Sequence, residues 1–358
     1  MQEVLGNVQR SPNRYRHPRR GADHRRPGPP PPPSRSHDPR RVQFSQIAKD
    51  TLDAIRRGYV DEPIPNGNSA YRHSIAADVN YSRRNTVLCS DDLIELRHWQ
   101  SPHRPGNQVL SRQAQLAVLP LSTIQGARYL KEVIQNRRSN PLLGILNFAS
   151  ATKPGGGFMN GAIAQEESIA RSSSLYESLS SRTAKPFYEL HKRDDGGGFY
   201  THSMIYSPTV VLFRDDNGAW VKPLRVEVVT SPAVNAGLVR KKHGRSNSRQ
   251  QRSDADDRYR DGRDGGAAAL EGLIREVMTE RMGRILAWFE LRGVRNLVLG
   301  SFGTGVFQND VKMVAEIWRE LLVGTRARFS TSFDRVLFAI PDGNTLDKFQ
   351  DVLGPVSF

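Results

Sequence analysis

The sequence has a single cysteine and no apolar segment of the length that a membrane helix requires. Cys89 alone cannot form an internal disulfide, and no group of Cys and His has the spacing of a zinc site. A membrane helix needs roughly 18 apolar residues in succession, and no run in this chain reaches that length. The first residues, MQEVLGNVQRSPNR, lack the apolar stretch of a secretory signal. These absences predict an intracellular protein without membrane spans, disulfides or a structural metal.

The positive charge of the chain is concentrated in two segments of low complexity. The net charge is +15 over 358 residues. Residues 1–44 carry ten Arg against three acidic residues, and residues 240–265 carry nine Lys and Arg against five Asp. The remainder of the chain is therefore closer to neutral. This distribution argues against nucleic-acid binding as the main activity, although the basic tail would still allow electrostatic contact with nucleic acid.

Two segments have the composition of disordered chain. Residues 1–43 are rich in Arg and Pro and include the run Pro29 to Pro33, so they bury too little apolar surface to offset the entropy lost on ordering. This tail is interpreted as a plain appendage or as a ligand for a polyproline-binding partner. Its Arg pairs favour the nucleus over the cytoplasm. Residues 240–265 lie between two well-patterned regions and are predicted to form a disordered basic loop inserted at the surface.

Helix and strand patterns alternate between these segments. Apolar residues at helical spacing mark residues 44–57, and Ser122 with Gln125 forms a capping box that begins a helix reaching about residue 137. The other predicted helices are 166–179, 267–291, 310–323 and a short terminal one, and the predicted strands are 115–119, 142–148, 203–206, 209–213, 224–230, 296–300 and 335–340. This alternation predicts one α/β domain over residues 44–358, with three α/β/α layers around a mostly parallel sheet.

The first candidate site follows the predicted strand 142–148. The three glycines Gly155–Gly157 permit positive φ and leave backbone N–H groups open to a bulky anion, although a plain flexible connection is the alternative interpretation. Gln165–Glu167 then begin a helix, where acidic residues are common because they favour the helix dipole. When the glycines and the carboxylates are considered together, the short loop would place one or both carboxylates beside a phosphate bound at the glycines. Negative charge beside a carboxyl raises its pKa and favours the protonated form that a general acid needs.

The second candidate site follows the predicted strand 296–300. The glycines of the stretch GSFGTG, residues 300–305, form a turn of N–H donors before a helix, which is a natural site for phosphate. Their spacing is not the dinucleotide fingerprint G-x-G-x-x-G, so a Rossmann fold is not favoured. Asn309 is predicted to cap the helix. Phe307 is a large aromatic residue in a polar loop, and it is expected either to pack on a ligand or to seal the core.

The stretch GGGFMNGAIAQEE resembles the signature of poly(ADP-ribose) glycohydrolases, in which three glycines precede Gln-Glu-Glu by a short spacer. The spacer here runs from Phe158 to Ala164. Other stretches are similar to the microbial-type branch, namely LNFA at 146–149, SIARSSSLYESL at 168–179, FRDD at 213–216, TSPA at 230–233 and the G-x-x-G-x-G-V-F loop. The resemblance covers residues 44–358 apart from the basic insertion. It implies a macrodomain-like fold with a mixed, mostly parallel sheet and an N-terminal helical extension.

The resemblance also implies roles for individual residues. Glu167 would protonate the leaving 2′ oxygen and then activate the attacking water, while Glu166 would hold ribose hydroxyls near the scissile bond and Asn147 the terminal ribose. Adjacent carboxylates at a helix start point in different directions, so one acid/base is expected rather than two opposed groups. The other residues implied to bind substrate are Gly155, Gly156, Gly157, Asn160, Gln165, Gly303, Thr304, Gly305, Val306 and Phe307. No cofactor and no metal are implied.

The activity implied by the resemblance is hydrolysis of the 1''-2' ribose–ribose bonds of poly(ADP-ribose). Hydrolysis would proceed mainly from the chain end and release ADP-ribose. The enzyme would be a monomer, and its partners would be ADP-ribosylated proteins. Three alternatives stay open: a non-catalytic ADP-ribose reader, which would not need Glu167; a mono-ADP-ribosyl hydrolase; and a nucleic-acid-binding protein that uses the basic segments. Residues 230–235 are only a guess for the adenine site.

Overall fold

A mixed sheet of seven strands forms the centre of the described structure. The computed structural model describes residues 38–65, 69–101, 112–134, 141–193, 196–250 and 262–354. In chain order, their strands are β1 Tyr59–Pro63, β2 Ala70–Ser74, β3 Val87–Cys89, β4 Gln115–Leu119, β5 Leu143–Phe148, β6 Met204–Arg214, β7 Trp220–Ser231, β8 Asn296–Leu299 and β9 Arg335–Ala339. The large sheet has the order β3-β6-β7-β5-β8-β9-β4, and β1 pairs with β2 in a separate hairpin. The strands from β7 to β4 are parallel, whereas β6 and β3 pair antiparallel, which confirms the predicted mixed sheet.

Helices cover both faces of this sheet. They are α1 Pro39–Arg57, α2 Ala76–Asn85, α3 Ile94–Arg97, α4 Thr123–Ile134, α5 Gln165–Ser172, α6 Leu175–Leu179, α7 Lys185–Arg193, α8 Ala236–Gln250, α9 Gly262–Leu291, α10 Val311–Leu322 and α11 Gly343–Leu353. On β5, Ile145 packs into the core shared with α4 to α7, and Leu146 packs into the core shared with α9 to α11. Both faces are therefore buried, as parallel sheets require, and the predicted three layers and N-terminal helix are confirmed. No helix in the described ranges has the length and hydropathy needed to cross a membrane.

The local sequence signals at helix starts are partly confirmed. Ser122 and Gln125 form the predicted capping box, in which each residue's backbone N–H donates to the other's side chain, at 2.9 and 3.0 Å. The predicted cap of α10 is wrong. Asp310 rather than Asn309 caps that helix, because the Asp310 carboxylate accepts from the backbone N–H of Met313 at 2.7 Å.

Two predicted elements are divided differently in the structure. The predicted strands 203–206 and 209–213 form one strand, β6, with a bulge at which Thr209 adopts a φ of 54°. The predicted helix 166–179 is two helices, because its middle turns toward β6. There the Ser174 hydroxyl accepts from the backbone N–H of Val211 at 3.0 Å.

The prediction of a disordered basic loop over residues 240–265 is wrong at both of its ends. Helix α8 continues to Gln250 and α9 begins at Gly262, while residues 251–261 lie outside the described residues. The two helices are joined by Arg240, whose guanidinium donates two hydrogen bonds to the Glu271 carboxylate at 2.7 and 2.8 Å. A polar composition does not reveal such a pairing, because the two partners are 31 residues apart.

The N-terminal boundary of the folded part also differs from the prediction of a disordered tail over residues 1–43. Helix α1 begins at Pro39, and the Asp38 carboxylate caps it by accepting from the backbone N–H of Arg40 at 3.0 Å. The rest of the predicted tail, residues 1–37, lies outside the described residues. The N-terminal helix is therefore longer than its apolar residues alone indicated.

Candidate active site

The candidate site lies at the carboxyl ends of β5 and β8, which are neighbouring parallel strands. The first glycine turn, Gly155–Gly157, follows β5, and the second glycine turn, Gly303–Gly305, follows β8. At the base of the site, Phe148 packs against Phe302 with ring centroids 5.6 Å apart. In α/β sheets, ligands bind in crevices at this end of the strands. The structure thus brings both predicted turns to one edge of the sheet.

The Gln165 side chain fixes the start of α5 against the end of β5. Its amide oxygen accepts from the backbone N–H of Phe148 at 2.8 Å, and its amide nitrogen donates to the carbonyl of Leu146 at 2.7 Å. The same nitrogen donates to the Thr123 hydroxyl at 3.1 Å. These bonds hold the first turn of α5, and with it the two carboxylates that follow, in a set position relative to the sheet.

Glu166 is buried, with 2% of its surface exposed. Its carboxylate accepts from the backbone N–H of Ser150 at 2.7 Å and from the side-chain amide of Asn147 at 3.3 Å. Burial raises the pKa of the Glu166 carboxyl from 4.5 to about 8, the neighbouring Glu167 charge adds to the shift, and hydrogen bonds from Ser150, Asn147 and Gly155 only partly oppose it. The shift favours the protonated form of Glu166. Asn147 is itself buried, and its amide also donates to the Thr230 hydroxyl at 3.2 Å.

Glu167 faces the first glycine turn. Its Oε1 accepts from the backbone N–H of Gly157 at 2.9 Å, and its buried Oε2 has no hydrogen-bond partner among the described residues. Gly155 and Gly156 adopt φ values of 63° and 57°, a region that favours glycine. A Cβ at Gly156 would collide with the Glu167 carboxylate. Turn and carboxylate are thus packed as one unit, and one carboxylate oxygen is buried there without a hydrogen-bond partner among the described residues.

The second glycine turn is fixed at its base. Gly303 has a φ of 76°, and a Cβ there would collide with Ala233 in the loop after β7. The side-chain amide of Asn309 donates to the carbonyls of Val234 at 2.7 Å and of Gly303 at 3.0 Å. Asn309 therefore joins the turn to the neighbouring loop instead of capping the helix.

The tip of the second turn is open. The backbone N–H groups of Gly305, Val306 and Phe307 donate no hydrogen bond within the described ranges. The Thr304 hydroxyl is turned back to the carbonyl of Ser301 at 3.0 Å. Val306 is 81% exposed, which is unusual for a branched apolar side chain. Three successive unbonded N–H groups form a concave donor site suited to phosphate oxygens.

Phe307 packs against the core and lies beside Tyr200, with ring centroids 6.1 Å apart. Tyr200 adopts a φ of 57°, and the fully buried Arg281 holds its loop by donating to the carbonyls of Tyr200 at 3.0 Å and Pro232 at 3.0 Å. Tyr200 is not among the site residues that the sequence predicts. A second triple glycine, Gly196–Gly198, precedes it and was the available signal.

Asn160 stands apart from the other predicted site residues. It is exposed in a single 3-10 turn, Phe158–Asn160, and no hydrogen bond among the described residues joins its side chain to either carboxylate. In the same described part of the chain, no cluster of three His, Cys, Asp or Glu side chains is arranged to hold a metal ion.

Comparisons with known proteins decide the family. Residues 48–215 match the family model of the microbial-type PARG catalytic domain, where PARG is poly(ADP-ribose) glycohydrolase. The PARG from Thermomonospora curvata, for which a crystal structure exists, shares 32% sequence identity with this chain. The match covers 87% of this chain and 99% of that one, with a TM-score of 0.69. The chain belongs to the microbial-type poly(ADP-ribose) glycohydrolases.

Further PARG structures share the fold. The Thermomonospora curvata PARG bound to the inhibitor ADP-HPD is 31% identical over 87% of this chain and 99% of its own, with a TM-score of 0.67. The Deinococcus radiodurans PARG in complex with ADP-ribose is 33% identical over 77% of this chain and 97% of its own, with a TM-score of 0.62. The comparison with curated proteins gave no match. The family model covers the first glycine turn and the strands as far as β6, whereas the second glycine turn lies beyond its last matched residue.

Proposed function

We propose that this chain hydrolyses the 1''-2' ribose–ribose bonds of poly(ADP-ribose), with Glu167 as general acid and then general base. The observation that carries the proposal is the position of Glu167. One carboxylate oxygen is held by the first glycine turn, and the other is buried without a partner in the described part of the chain. A non-catalytic reader would have no use for a carboxylate placed in this way.

The diphosphate of the terminal ADP-ribose unit would lie between the two glycine turns. The unbonded N–H groups of Gly305–Phe307 would donate to its oxygens, and Gly155 and Gly156 let the main chain approach from the other side. Asn147, whose buried Oδ1 lacks a partner among the described residues, would accept from a hydroxyl of the terminal ribose. Phe307, beside Tyr200, would pack on that ribose. The ADP-ribose held by the Deinococcus radiodurans PARG supports this choice of ligand.

In the chemical step, the Glu167 carboxyl donates its proton to the 2′ oxygen as the bond from that oxygen to the anomeric carbon breaks. The positive charge that develops on the sugar ring is stabilised by the nearby diphosphate. A water molecule then attacks the anomeric carbon and returns a proton to Glu167. The products are ADP-ribose and a polymer shortened by one unit, which fits action from the chain end.

The protonated state of Glu166 suits a supporting role. With its pKa raised to about 8 by burial, Glu166 adds little negative charge beside Glu167 and the diphosphate at neutral pH. The neutral carboxyl would hold ribose hydroxyls near the scissile bond. One general acid/base with a neutral neighbour is therefore the arrangement that we propose.

The same proposal extends to partners. ADP-ribosylated proteins would carry the polymer to the enzyme, which would act as a monomer inside the cell, in the nucleus or cytoplasm. The basic composition of residues 1–43 would add an electrostatic contact with the polymer or with nucleic acid.

The test is incubation of the full chain with purified poly(ADP-ribose), followed by chromatographic separation of ADP-ribose from oligomers. The wild type should release ADP-ribose, and Glu167→Gln should lower turnover by about 10² to 10⁴-fold because one group performs both proton transfers. Calorimetry should show that the variant still binds ADP-ribose. Release by Glu167→Gln at the wild-type rate would contradict the role of Glu167. Binding without any product from the wild type would favour a reader, and product from mono-modified protein alone would favour a mono-ADP-ribosyl hydrolase.

A further inference from the structure

The spacer between the first glycine turn and Glu167, residues 158–164, has little support of its own. Its internal hydrogen bonds are short-range. The backbone N–H groups of Asn160 and Ala162 both donate to the carbonyl of Gly157, at 2.9 and 3.2 Å. Ile163 is exposed. A segment with so few bonds of its own depends on its neighbours for a defined conformation, and α1, α5 and α6 all contact it.

Helix α1 lies directly on this spacer. The Ser45 hydroxyl donates to the carbonyl of Met159 at 2.8 Å. At Gly161, which has a φ of 69°, a Cβ would collide with the backbone carbonyl of Arg41, so helix and spacer meet main chain to main chain. Beside this contact, Phe158 packs in a small separate core with Ala48 of α1 and Ala170 of α5. Helix α1 therefore contributes to the position of the spacer through one side-chain hydrogen bond, a main-chain contact and this core.

Helix α1 also holds α5, the helix that carries Glu167. Arg171 lies one helical turn after Glu167 and is buried, and its guanidinium lies over the ring of Phe44 at 4.4 Å from the ring centroid. That guanidinium donates to the carbonyl of Ala162 in the spacer. The Thr51 hydroxyl in turn donates to the carbonyl of Arg171 at 2.6 Å. One helix thus contacts the spacer and the helix after it.

We infer that α1 is part of the catalytic apparatus, with Ser45 and Phe44 as positioning residues that act through the spacer and through Arg171. The inference rests on the proposed function, because it concerns the placement of Glu167 against the sugar. Loosening of the spacer would let Glu167 move relative to the first glycine turn. A displacement of about 1 Å can lower a rate by about 10²-fold. The second glycine turn has no hydrogen bond to α1 among the described residues, so it would still bind the diphosphate.

The test compares Ser45→Ala with Ser45→Thr, which keeps the hydroxyl, and with Gln46→Ala. Gln46 is the adjacent residue and is exposed, and its one side-chain hydrogen bond among the described residues is to Asp50, also in α1. Ser45→Ala should lower kcat on poly(ADP-ribose) roughly 10-fold, which is less than the 10²-fold loss expected for a full displacement of Glu167 by about 1 Å. KM should change much less than kcat. Ser45→Thr should recover most of the rate, and Gln46→Ala should equal the wild type. Phe44→Leu, which keeps apolar bulk but removes the ring under Arg171, should also lower kcat.

A second readout does not depend on activity. Amide hydrogen exchange in residues 157–163 should be faster in Ser45→Ala than in the wild type and unchanged in Gln46→Ala. Unchanged exchange and kcat in Ser45→Ala would overturn the inference even if the wild type releases ADP-ribose. A fall in kcat that is matched by a lower thermal midpoint and weaker ADP-ribose binding would also overturn it, because that pattern indicates general loss of structure. A wild type that releases no ADP-ribose would contradict the proposed function, while the exchange data would still decide the role of α1.

Discussion

The two glycine turns of this protein share a residue type and a position in the sheet but differ in what surrounds them. The first turn is enclosed: Glu167 bonds the N–H of Gly157, and α1 lies on the spacer that follows. The second is fixed only at its base, and the N–H groups at its tip have no acceptor in the described ranges. Similar glycine-rich sequences can therefore have different functions. The first turn is suited to placing an acid, and the second to binding an anion.

Within the two glycine turns, the largest effect is expected at Gly156. Gly156→Ala forces an L side chain into a φ of 57° and drives its Cβ against the Glu167 carboxylate. Because the carboxylate must move away, kcat should fall by about 10²-fold, while calorimetry should show a smaller change in ADP-ribose affinity. Steady-state rates on poly(ADP-ribose) measure the first quantity. A variant that loses affinity but keeps kcat would reverse the roles that we assign to the two turns.

A smaller effect, on ADP-ribose affinity rather than on kcat, is expected at Gly303. Gly303→Ala meets both a φ of 76° and Ala233, so the second turn must shift and its N–H groups must withdraw from the diphosphate. We expect ADP-ribose affinity to fall about 10-fold, which corresponds to about 1.4 kcal/mol, with kcat nearly unchanged. Gly305→Ala, at the tip of the same turn, is the variant for comparison, since a Cβ there has no described protein atom within 4 Å and the backbone N–H stays in place. Equal losses in the two variants would show that the turn is not held by the contact with Ala233.

The last prediction concerns the pH dependence of stability rather than turnover or binding, and it arises from Glu166. The folded-state pKa of Glu166, about 8, lies above its ordinary value of 4.5, so the folded chain binds the proton more tightly than the unfolded chain. The contribution of this carboxyl to stability is thus fully present below about pH 4.5 and is lost as the pH rises through 8. Thermal midpoints across this range should fall more in the wild type than in Glu166→Gln. Parallel curves for the two proteins would show that Glu166 is already ionised at neutral pH.

The sequence predicted the features of the site whose partners lie close together along the chain. The capping box of Ser122 and Gln125 joins residues three apart, and the first glycine turn is ten residues from Glu167. Both follow from local spacing.

Features that depend on distant partners could not be predicted in this way. Ser45 bonds a carbonyl 114 residues away, and Arg281 holds the loop of Tyr200 from 81 residues away. Asn309 and Asp310 are both good caps by residue type, and only the carbonyls of Val234 and Gly303 decide which of them performs that role. Tertiary contacts thus supply what local pattern leaves open.

A crystal structure of the wild-type protein with ADP-ribose bound would show whether the diphosphate lies between the two glycine turns with the terminal ribose against Glu167. We expect the diphosphate oxygens within about 3 Å of the N–H groups of Gly305–Phe307, which is ordinary hydrogen-bond length. The Glu167 carboxylate should lie at a similar distance from the anomeric hydroxyl of the terminal ribose. A complex in which the diphosphate contacts only one glycine turn, or in which the terminal ribose points away from Glu167, would contradict the account.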